Sequence, residues 1–83
     1  MKITVRYFAS IREAIGQGSE AVETAATTLG ALRDELIARG GAHASSLARG
    51  RAVRMALNQT LRDESATLAD GAEVAFFPPV TGG

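Results

Sequence analysis

Polar and apolar residues alternate over residues 2–8, with Ile3, Val5 and Tyr7 on one side and mostly polar residues on the other. A period of two predicts a half-buried β-strand. Phe8 is the odd member of this segment, because it places an aromatic ring on the side that otherwise carries polar residues. The strand is therefore predicted to bury one face, with Phe8 on the opposite one.

The clearest helical pattern covers residues 28–39. Leucines recur there at spacings of three and four, a threonine at 27 or 28 can cap the N-terminus, and two glycines follow the last turn. The charged residues between the leucines, including Arg33, are predicted to face water. A shorter helix is predicted over residues 9–15, where two isoleucines lie four apart before Gly16.

Further alternating segments predict the remaining strands. Residues 21–24 predict a weak strand, and the chain from the main helix through Gly50 is predicted as a loop or a short helical turn. The C-terminal half is predicted to hold a strand over residues 52–57, a tight turn at 58–59, a short strand near 60–62, a turn at 70–71 and a last strand over 74–77. This order predicts an α+β fold, a mixed sheet packed on one main helix, with one domain over residues 1–77 and a tail over 78–83.

Composition narrows the possible functions. Eighty-three residues form one domain, and nine basic and nine acidic residues cancel, which disfavours nucleic acid and anionic membranes as partners. The absence of cysteine excludes disulfides and thiolate metal sites, and the single histidine, His43, is predicted to be exposed and inert. No apolar run resembles a signal peptide or a membrane span, so we expect a cytoplasmic protein.

The last six residues are the unusual feature of the chain. Pro78 and Pro79 hold the backbone extended, and Gly82 and Gly83 leave the terminal carboxylate without neighbouring side chains. Such a tip can enter a channel too narrow for a Cβ atom. Two terminal glycines also arise by chance at frayed ends, so the signal is the direct succession of aromatic strand, double proline and double glycine.

The run from Val74 to Gly83 resembles the ending of the sulfur-carrier subunits of molybdopterin synthase. Residues 7–9, followed by Arg12 and Glu13, resemble that family's first strand and helix start. Residues 56–60 resemble its central hairpin and residues 68–74 its turn into the last strand, although Ala72 replaces the usual acidic residue. The resemblance implies a ubiquitin-like β-grasp fold with a flexible Gly-Gly tail.

The resemblance also implies a chemistry. An adenylyltransferase related to ubiquitin-activating enzymes would use ATP and Mg²⁺ to adenylate Gly83, and a sulfur donor protein would convert the adenylate to a thiocarboxylate. The chain would then dock on the synthase large subunit and deliver sulfur to cyclic pyranopterin monophosphate, with Gly82 giving clearance. It would bind no cofactor or metal stably and catalyse nothing alone, because the acid–base groups belong to the large subunit. The residues expected to bind that subunit are Phe8, Phe77, Pro78, Pro79, Val80 and Thr81.

Several alternatives stay open from the sequence. Sulfur carriers of the thiamine or tungsten-cofactor pathways and ubiquitin-like protein modifiers share the fold and the Gly-Gly end, although the run from Phe76 to Thr81 disfavours the thiamine carrier. A ubiquitin-fold interaction domain that uses only its sheet face is the alternative from a different class. Whether Phe8 and Phe77 belong to the core or to an interface is also undecided.

Overall fold

A computed structural model describes residues 1–79 of the chain. It contains a five-stranded sheet in the order β2-β1-β5-β3-β4, in which β1 and β5 run parallel and all other neighbouring strands run antiparallel. This architecture confirms the predicted α+β class with a mixed sheet. The strands are β1 (Lys2–Tyr7), β2 (Ser19–Glu23), β3 (Arg54–Leu57), β4 (Thr60–Leu61) and β5 (Glu73–Phe77), and the helices are α1 (Ala9–Ile15), α2 (Leu29–Ala38) and α3 (Gly41–Leu47).

The core lies between the helices and one face of the sheet, which we call the inner face. The alternating apolar side chains of β1 and the regularly spaced leucines of α2 supply most of this core, as the sequence predicts. Each fully buried aliphatic or aromatic side chain contributes roughly 2 kcal/mol relative to an exposed one. The side chains that are at most 1% exposed are Ile3, Val5, Tyr7, Leu29, Leu32, Leu36, Leu47, Val74 and Phe76.

A threonine cap marks the start of α2, and a turn made by two glycines follows its end. Its first turn follows Thr28, whose hydroxyl oxygen accepts a hydrogen bond from the N–H of Ala31 at 3.1 Å. The chain after α2 differs from the predicted loop or short turn, because α3 is a seven-residue helix. Gly40 and Gly41 have φ of 76° and 56°, a conformation that glycine adopts without a Cβ clash, and they turn the chain from one helix into the next.

The prediction that Arg33 faces water is wrong. Its side chain is buried under the segment that follows α3, where Nε donates to the carbonyl oxygen of Leu47 at 2.7 Å and Nη2 donates to that of Ala48 at 2.8 Å. Burial lowers the pKa of Arg33, but the guanidinium also lies 3.4 Å from the carboxylate of Glu64. Arg33 therefore ties α2 to the chain leading into β3.

Both predicted turns are confirmed. Asn58 and Gln59 have φ of 49° and 69°, which is the backbone of a two-residue type I′ hairpin turn. The side-chain oxygen of Asn58 accepts the N–H of Glu73 at 2.9 Å, so the hairpin is fastened to the start of β5. Gly71, with φ of 83°, makes the second turn and donates its N–H to the carbonyl oxygen of Lys2 at 2.8 Å.

Candidate functional site

The candidate site is the sheet face that points away from the helices, which we call the outer face. Strand register decides which residues share it. Arg6 of β1 lies beside Ala75 of β5, Ala75 pairs with Ala56 of β3, and Ala56 pairs with Leu61 of β4. Two small alanines and Leu61, which is 59% exposed, therefore form an apolar strip across the sheet.

Phe8 lies at one end of this face, one residue beyond β1. Its N–H donates to the carbonyl oxygen of Phe76 at 3.1 Å, which continues the pairing with β5. Its own carbonyl oxygen accepts the N–H groups of Ile11 and Arg12 in the first turn of α1. These bonds fix the backbone of Phe8 from both sides, and its side chain stays 38% exposed on the outer face.

Phe77 is the neighbour of Phe8 on the outer face. Tyr7 is level with Phe76 in the parallel pair, so the next residue along each strand, Phe8 and Phe77, also lie side by side. Phe77 is half-buried, and neither phenylalanine belongs to the core cluster. Both side chains therefore lie on the outer face, outside the core cluster.

Arginines border this pair. The guanidinium carbon of Arg6 lies 5.2 Å from the centre of the Phe8 ring, a cation–π distance, and Arg6 is also 3.9 Å from the carboxylate of Glu73. Arg54 is directly opposite Phe77 in the antiparallel pair. Within residues 1–79 no carboxylate lies within 4.0 Å of Arg54. The outer face of residues 1–79 thus combines an apolar centre with an arginine at its rim that forms no ion pair to a described carboxylate.

The predicted tail begins next to this pair of rings. The last strand ends at Phe77, as the sequence predicts, and Pro78 and Pro79 follow it half-buried. Because β5 runs parallel to β1, the chain leaves the sheet at the end where Phe8 lies. The other predicted site residues, Val80, Thr81, Gly82 and Gly83, lie outside the described residues.

A polar cluster on the inner face was missed by the sequence analysis. Glu20 of β2 accepts hydrogen bonds from the hydroxyl of Tyr7 at 2.6 Å and from Arg39 at 2.8 Å, and its carboxylate lies 2.9 Å from Nε2 of His43. The prediction that His43 is exposed is wrong: its side chain is 15% exposed and meets the Tyr7 ring edge-on at 5.8 Å. The one available signal was the tyrosine at a core position, since a buried hydroxyl requires a partner.

The pKa values in this cluster follow from its hydrogen bonds. Burial and the bond to Glu20 raise the pKa of the Tyr7 hydroxyl well above its usual range. Burial alone would raise the pKa of Glu20, but the bonds from Tyr7, His43 and Arg39 outweigh it and lower the pKa to about 2. The cluster joins β1, β2, α2 and α3, and it lies on the side of the sheet away from the candidate site.

Two kinds of site are absent from residues 1–79. No group of three or more histidine, cysteine, aspartate or glutamate side chains is arranged to hold a metal ion there. No helix in that range has the length and hydropathy needed to cross a membrane.

Comparison with known proteins identifies relatives over the whole chain. Residues 5–83 match the model of the ThiS family. The molybdopterin synthase sulfur carrier subunit of Escherichia coli (strain K12) is 43% identical over 81 residues, which cover 98% of this chain and 99% of that protein.

Solved structures show the same architecture. The complex of subunits 1 and 2 of the molybdopterin-converting factor from Helicobacter pylori 26695 contains a chain that superimposes with a TM-score of 0.70 at 28% identity, and the coverage of both chains is complete. SAMP1 from Haloferax volcanii superimposes with a TM-score of 0.78 at 25% identity, also with complete coverage of both chains. The ubiquitin-like β-grasp class predicted from the sequence is confirmed.

Proposed function

The chain belongs to the ThiS family, and we propose that it is the sulfur carrier subunit of a molybdopterin synthase. One observation carries this proposal: the similarity runs through the terminal glycines, since the family match ends at Gly83 and the Escherichia coli carrier subunit aligns over 98% of the chain. A module that used only its sheet face would have no need of this ending. The composition of the tail and the similarity to the Escherichia coli sulfur carrier subunit therefore favour the same function.

The chemistry proposed for Gly83 follows from the low reactivity of a carboxylate. Its negative charge repels nucleophiles, and an oxide ion is a poor leaving group. A partner adenylyltransferase would transfer the AMP moiety of ATP to the carboxylate and release pyrophosphate. A persulfide on a sulfur donor protein would then displace AMP and form an acyl disulfide with Gly83. A second thiol would attack the donor-side sulfur of that disulfide, which releases the thiocarboxylate on Gly83 and leaves a disulfide between the thiol and the donor.

The outer face supports docking on a second subunit. The Phe8–Phe77 pair is the type of aromatic anchor that dominates binding energy at protein interfaces. Its position beside Pro78 places an anchored surface at the base of the tail, so docking there would fix where the tail begins. Fully extended, residues 78–83 reach roughly 20 Å beyond that surface.

The rim charge adds a constraint on the partner. Arg54 borders Phe77 without a carboxylate partner in the described residues, and burying an unpaired guanidinium at an interface is costly. We therefore expect the large subunit to present a carboxylate opposite Arg54. Its active site would supply the acid–base groups, because Thr81 is the nearest polar side chain to the tip in sequence.

The proposal is tested by charging the full-length chain. It is incubated with the adenylyltransferase, ATP, Mg²⁺ and a sulfur donor, and the C-terminal peptide is then analysed by mass spectrometry. The expected product has one oxygen exchanged for sulfur on Gly83. An unchanged peptide, in a reaction where the same enzymes charge another carrier, would overturn the proposal.

Protein modification is the second candidate function. It is favoured by the superposition with SAMP1 from Haloferax volcanii, a protein also described as small archaeal modifier protein 1. An adenylated Gly83 attacked by a lysine amine would give an isopeptide bond instead of a thiocarboxylate. The same charging reaction, repeated in the presence of a cell extract, separates the two: conjugates that end at Gly83 would support modification.

A further inference from the structure

The chain draws almost all of its positive charge from arginine. Eight of its nine basic residues are arginines, and Lys2 is its one lysine. The two side chains differ in reactivity. A small fraction of lysine amines is unprotonated and nucleophilic at neutral pH, whereas a guanidinium stays protonated in proteins. The positions of the amines therefore decide where the chain can react with its own activated end.

Both amines, on Lys2 and at the N-terminus, lie at the end of the sheet opposite the tail. β1 begins at Lys2 and runs parallel to β5, so Phe77, after which the tail starts, is level with Phe8. The six residues from Lys2 to Phe8 span about 20 Å of extended chain. The amine of Met1 lies one residue farther away and donates to the carbonyl oxygen of Thr24 at 2.9 Å. The base of the tail is therefore distant from both amines.

Two arginines flank the base of the tail instead. Arg54 is directly opposite Phe77 in the β3–β5 pair, and the guanidinium carbon of Arg6 lies 5.2 Å from the centre of the Phe8 ring. Both arginines are exposed. The positive charge of the tail-side rim is thus carried by groups that cannot be acylated at neutral pH.

We propose that arginine is required at positions 6 and 54, because it supplies positive charge beside the tail without an amine that Gly83 could acylate. The proposal rests on the sulfur-carrier function, in which the Gly83 adenylate must survive until sulfur arrives. A flexible chain of six residues spans roughly 13 Å on average. An adenylate that leaves its partner therefore comes within reach of Arg6 and Arg54 far more often than of Lys2.

A lysine at either position would open a competing reaction. Its neutral amine would attack the carbonyl carbon of the Gly83 adenylate, the bond from that carbon to the phosphate oxygen would break, and AMP would leave with the electron pair while the amine gives a proton to water. The product is a lactam without a terminal carboxylate, so it can no longer be adenylated. Because the amine and the tail belong to one chain, the effective amine concentration would be in the millimolar range.

The positive charge explains why a cation is present at these positions at all. No carboxylate of residues 1–79 lies within 4.0 Å of Arg54, so its charge is available to a carboxylate of the large subunit. It also attracts the adenylate, whose phosphate is negative. That attraction would bring an amine at position 54 close to the activated carbonyl. Arginine supplies the charge and excludes the side reaction.

Charging without a sulfur donor tests the proposal. The full-length wild type, Arg54→Lys and Arg6→Lys are each incubated with the adenylyltransferase, ATP and Mg²⁺, and the intact masses are measured. The wild type should keep its mass. Each lysine variant should lose the mass of one water at a rate independent of chain concentration, with at least about tenfold more lactam than the wild type. Fragmentation should show the new amide bond between Gly83 and the introduced lysine.

Two control variants separate the amine from the loss of arginine. Arg39→Lys makes the same exchange on the helix side of the sheet, where Arg39 donates to Glu20 at 2.8 Å, and it should keep its mass. Arg54→Gln removes the charge without adding an amine, and it should also keep its mass. As much lactam in Arg39→Lys as in Arg54→Lys would overturn the proposal.

Exchange of labelled pyrophosphate into ATP distinguishes the two ways in which the test can fail, because it reports adenylation of Gly83 directly. If the wild type supports no exchange with an enzyme that activates another carrier, the sulfur-carrier function fails and this proposal fails with it. Normal exchange without lactam in a lysine variant would overturn only the requirement for arginine at that position.

Discussion

Phe76 and Phe77 are adjacent and chemically identical, yet their surroundings are opposite. Phe76 is fully buried on the inner face, where its ring stacks on Tyr7 with 6.3 Å between the ring centres. Phe77 is half-buried on the outer face, between Phe8 and Arg54. Tyr7 and Phe8 show the same contrast: they are adjacent in sequence, but Tyr7 is buried on the inner face and Phe8 is exposed on the outer face. Strand parity, and not residue type, therefore separates the aromatic rings that stabilise the domain from those available to a partner.

The charged side chains of the two faces also differ in their hydrogen-bond and ion-pair partners. On the inner face Glu20 has hydrogen-bond partners for both oxygens, and within residues 1–79 no buried side-chain nitrogen or oxygen lacks a partner. On the outer face Arg54 has no carboxylate partner among the described residues. A small carrier needs this division, because the interactions that stabilise its fold must stay intact each time the outer face binds a partner.

The largest effect on stability is expected for Phe76→Ala. Removing a fully buried aromatic ring typically lowers the free energy of unfolding by about 3–5 kcal/mol, a large share of the roughly 5–10 kcal/mol of a small domain. Phe77→Ala should lower it by less than about 1 kcal/mol, because Phe77 is only half-buried and lies outside the core cluster. Urea denaturation of both variants measures the difference. Equal losses would contradict the separation of the two faces.

Charge placed on the outer face should affect binding instead. Phe8→Arg or Phe77→Arg should weaken binding to the large subunit by at least about 30-fold, the effect of losing roughly 2 kcal/mol at an interface hot spot. The free energy of unfolding should change little. Calorimetric titration of the large subunit measures the first quantity and urea denaturation the second.

A matched control for this change is Thr4→Arg. Thr4 lies on the same face of β1, farther from the tail, and the variant should bind like the wild type if the docking surface is centred on the two phenylalanines. A different outcome would show that these residues act as core residues: Phe8→Arg or Phe77→Arg unfolds much of the protein, while the chains that remain folded bind the large subunit with wild-type affinity.

The polar cluster of the inner face should give an acid-dependent stability. The pKa of Glu20 is lowered from 4.5 to about 2 in the folded chain. Its carboxylate therefore stabilises the fold fully above the unfolded pKa, and this contribution is lost as the pH falls from about 5 towards 2. Glu20→Gln should lower the free energy of unfolding at neutral pH by roughly 1–3 kcal/mol and flatten its dependence on pH in that window.

Denaturation at several pH values measures this effect, with Glu13→Gln as the control. Glu13 is exposed on α1 and makes no side-chain hydrogen bond to the described residues. The control should behave like the wild type. An unchanged slope in Glu20→Gln would show that other carboxylates govern the acid sensitivity of the fold.

The smallest effect is expected where the chain passes from β1 into α1. Ala9 has a φ of 52°, which costs a residue with a Cβ about 1–2 kcal/mol. Ala9→Gly removes that strain but adds unfolded-state entropy, so it should stabilise the domain by about 0.5 kcal/mol. Ala14→Gly, in the same helix, should instead destabilise by about 1 kcal/mol. Equal losses from both substitutions would show that Ala9 is unstrained.

Local pattern was sufficient for much of the fold. Alternation identified β1 and the unusual position of Phe8, leucine spacing identified α2, and turn residues identified the hairpin at Asn58 and Gln59. The environments of Arg33 and His43 were predicted wrongly, because their partners come from distant parts of the chain. Arg33 donates to carbonyl oxygens at the end of α3 and just after it, and His43 reaches Glu20 on β2. No periodicity of the sequence encodes either contact. The roles of Gly82 and Gly83 stay predictions, since they rest on the composition of the tail and on the family.

The central claim is that Gly83 carries sulfur to a partner's active site. It is tested most directly by the dithiolene product formed in a single turnover by pre-charged chain on the large subunit, with affinity measured on the same samples. Deleting Gly83 moves the terminal carbon back by about 3.5 Å, and Gly82→Val adds a β-branched side chain to the tip. Both variants should bind like the wild type and give a product yield at least roughly 100-fold lower, about 2.7 kcal/mol of lost transition-state stabilisation. A wild-type yield from the chain lacking Gly83 would contradict the sulfur-carrier function.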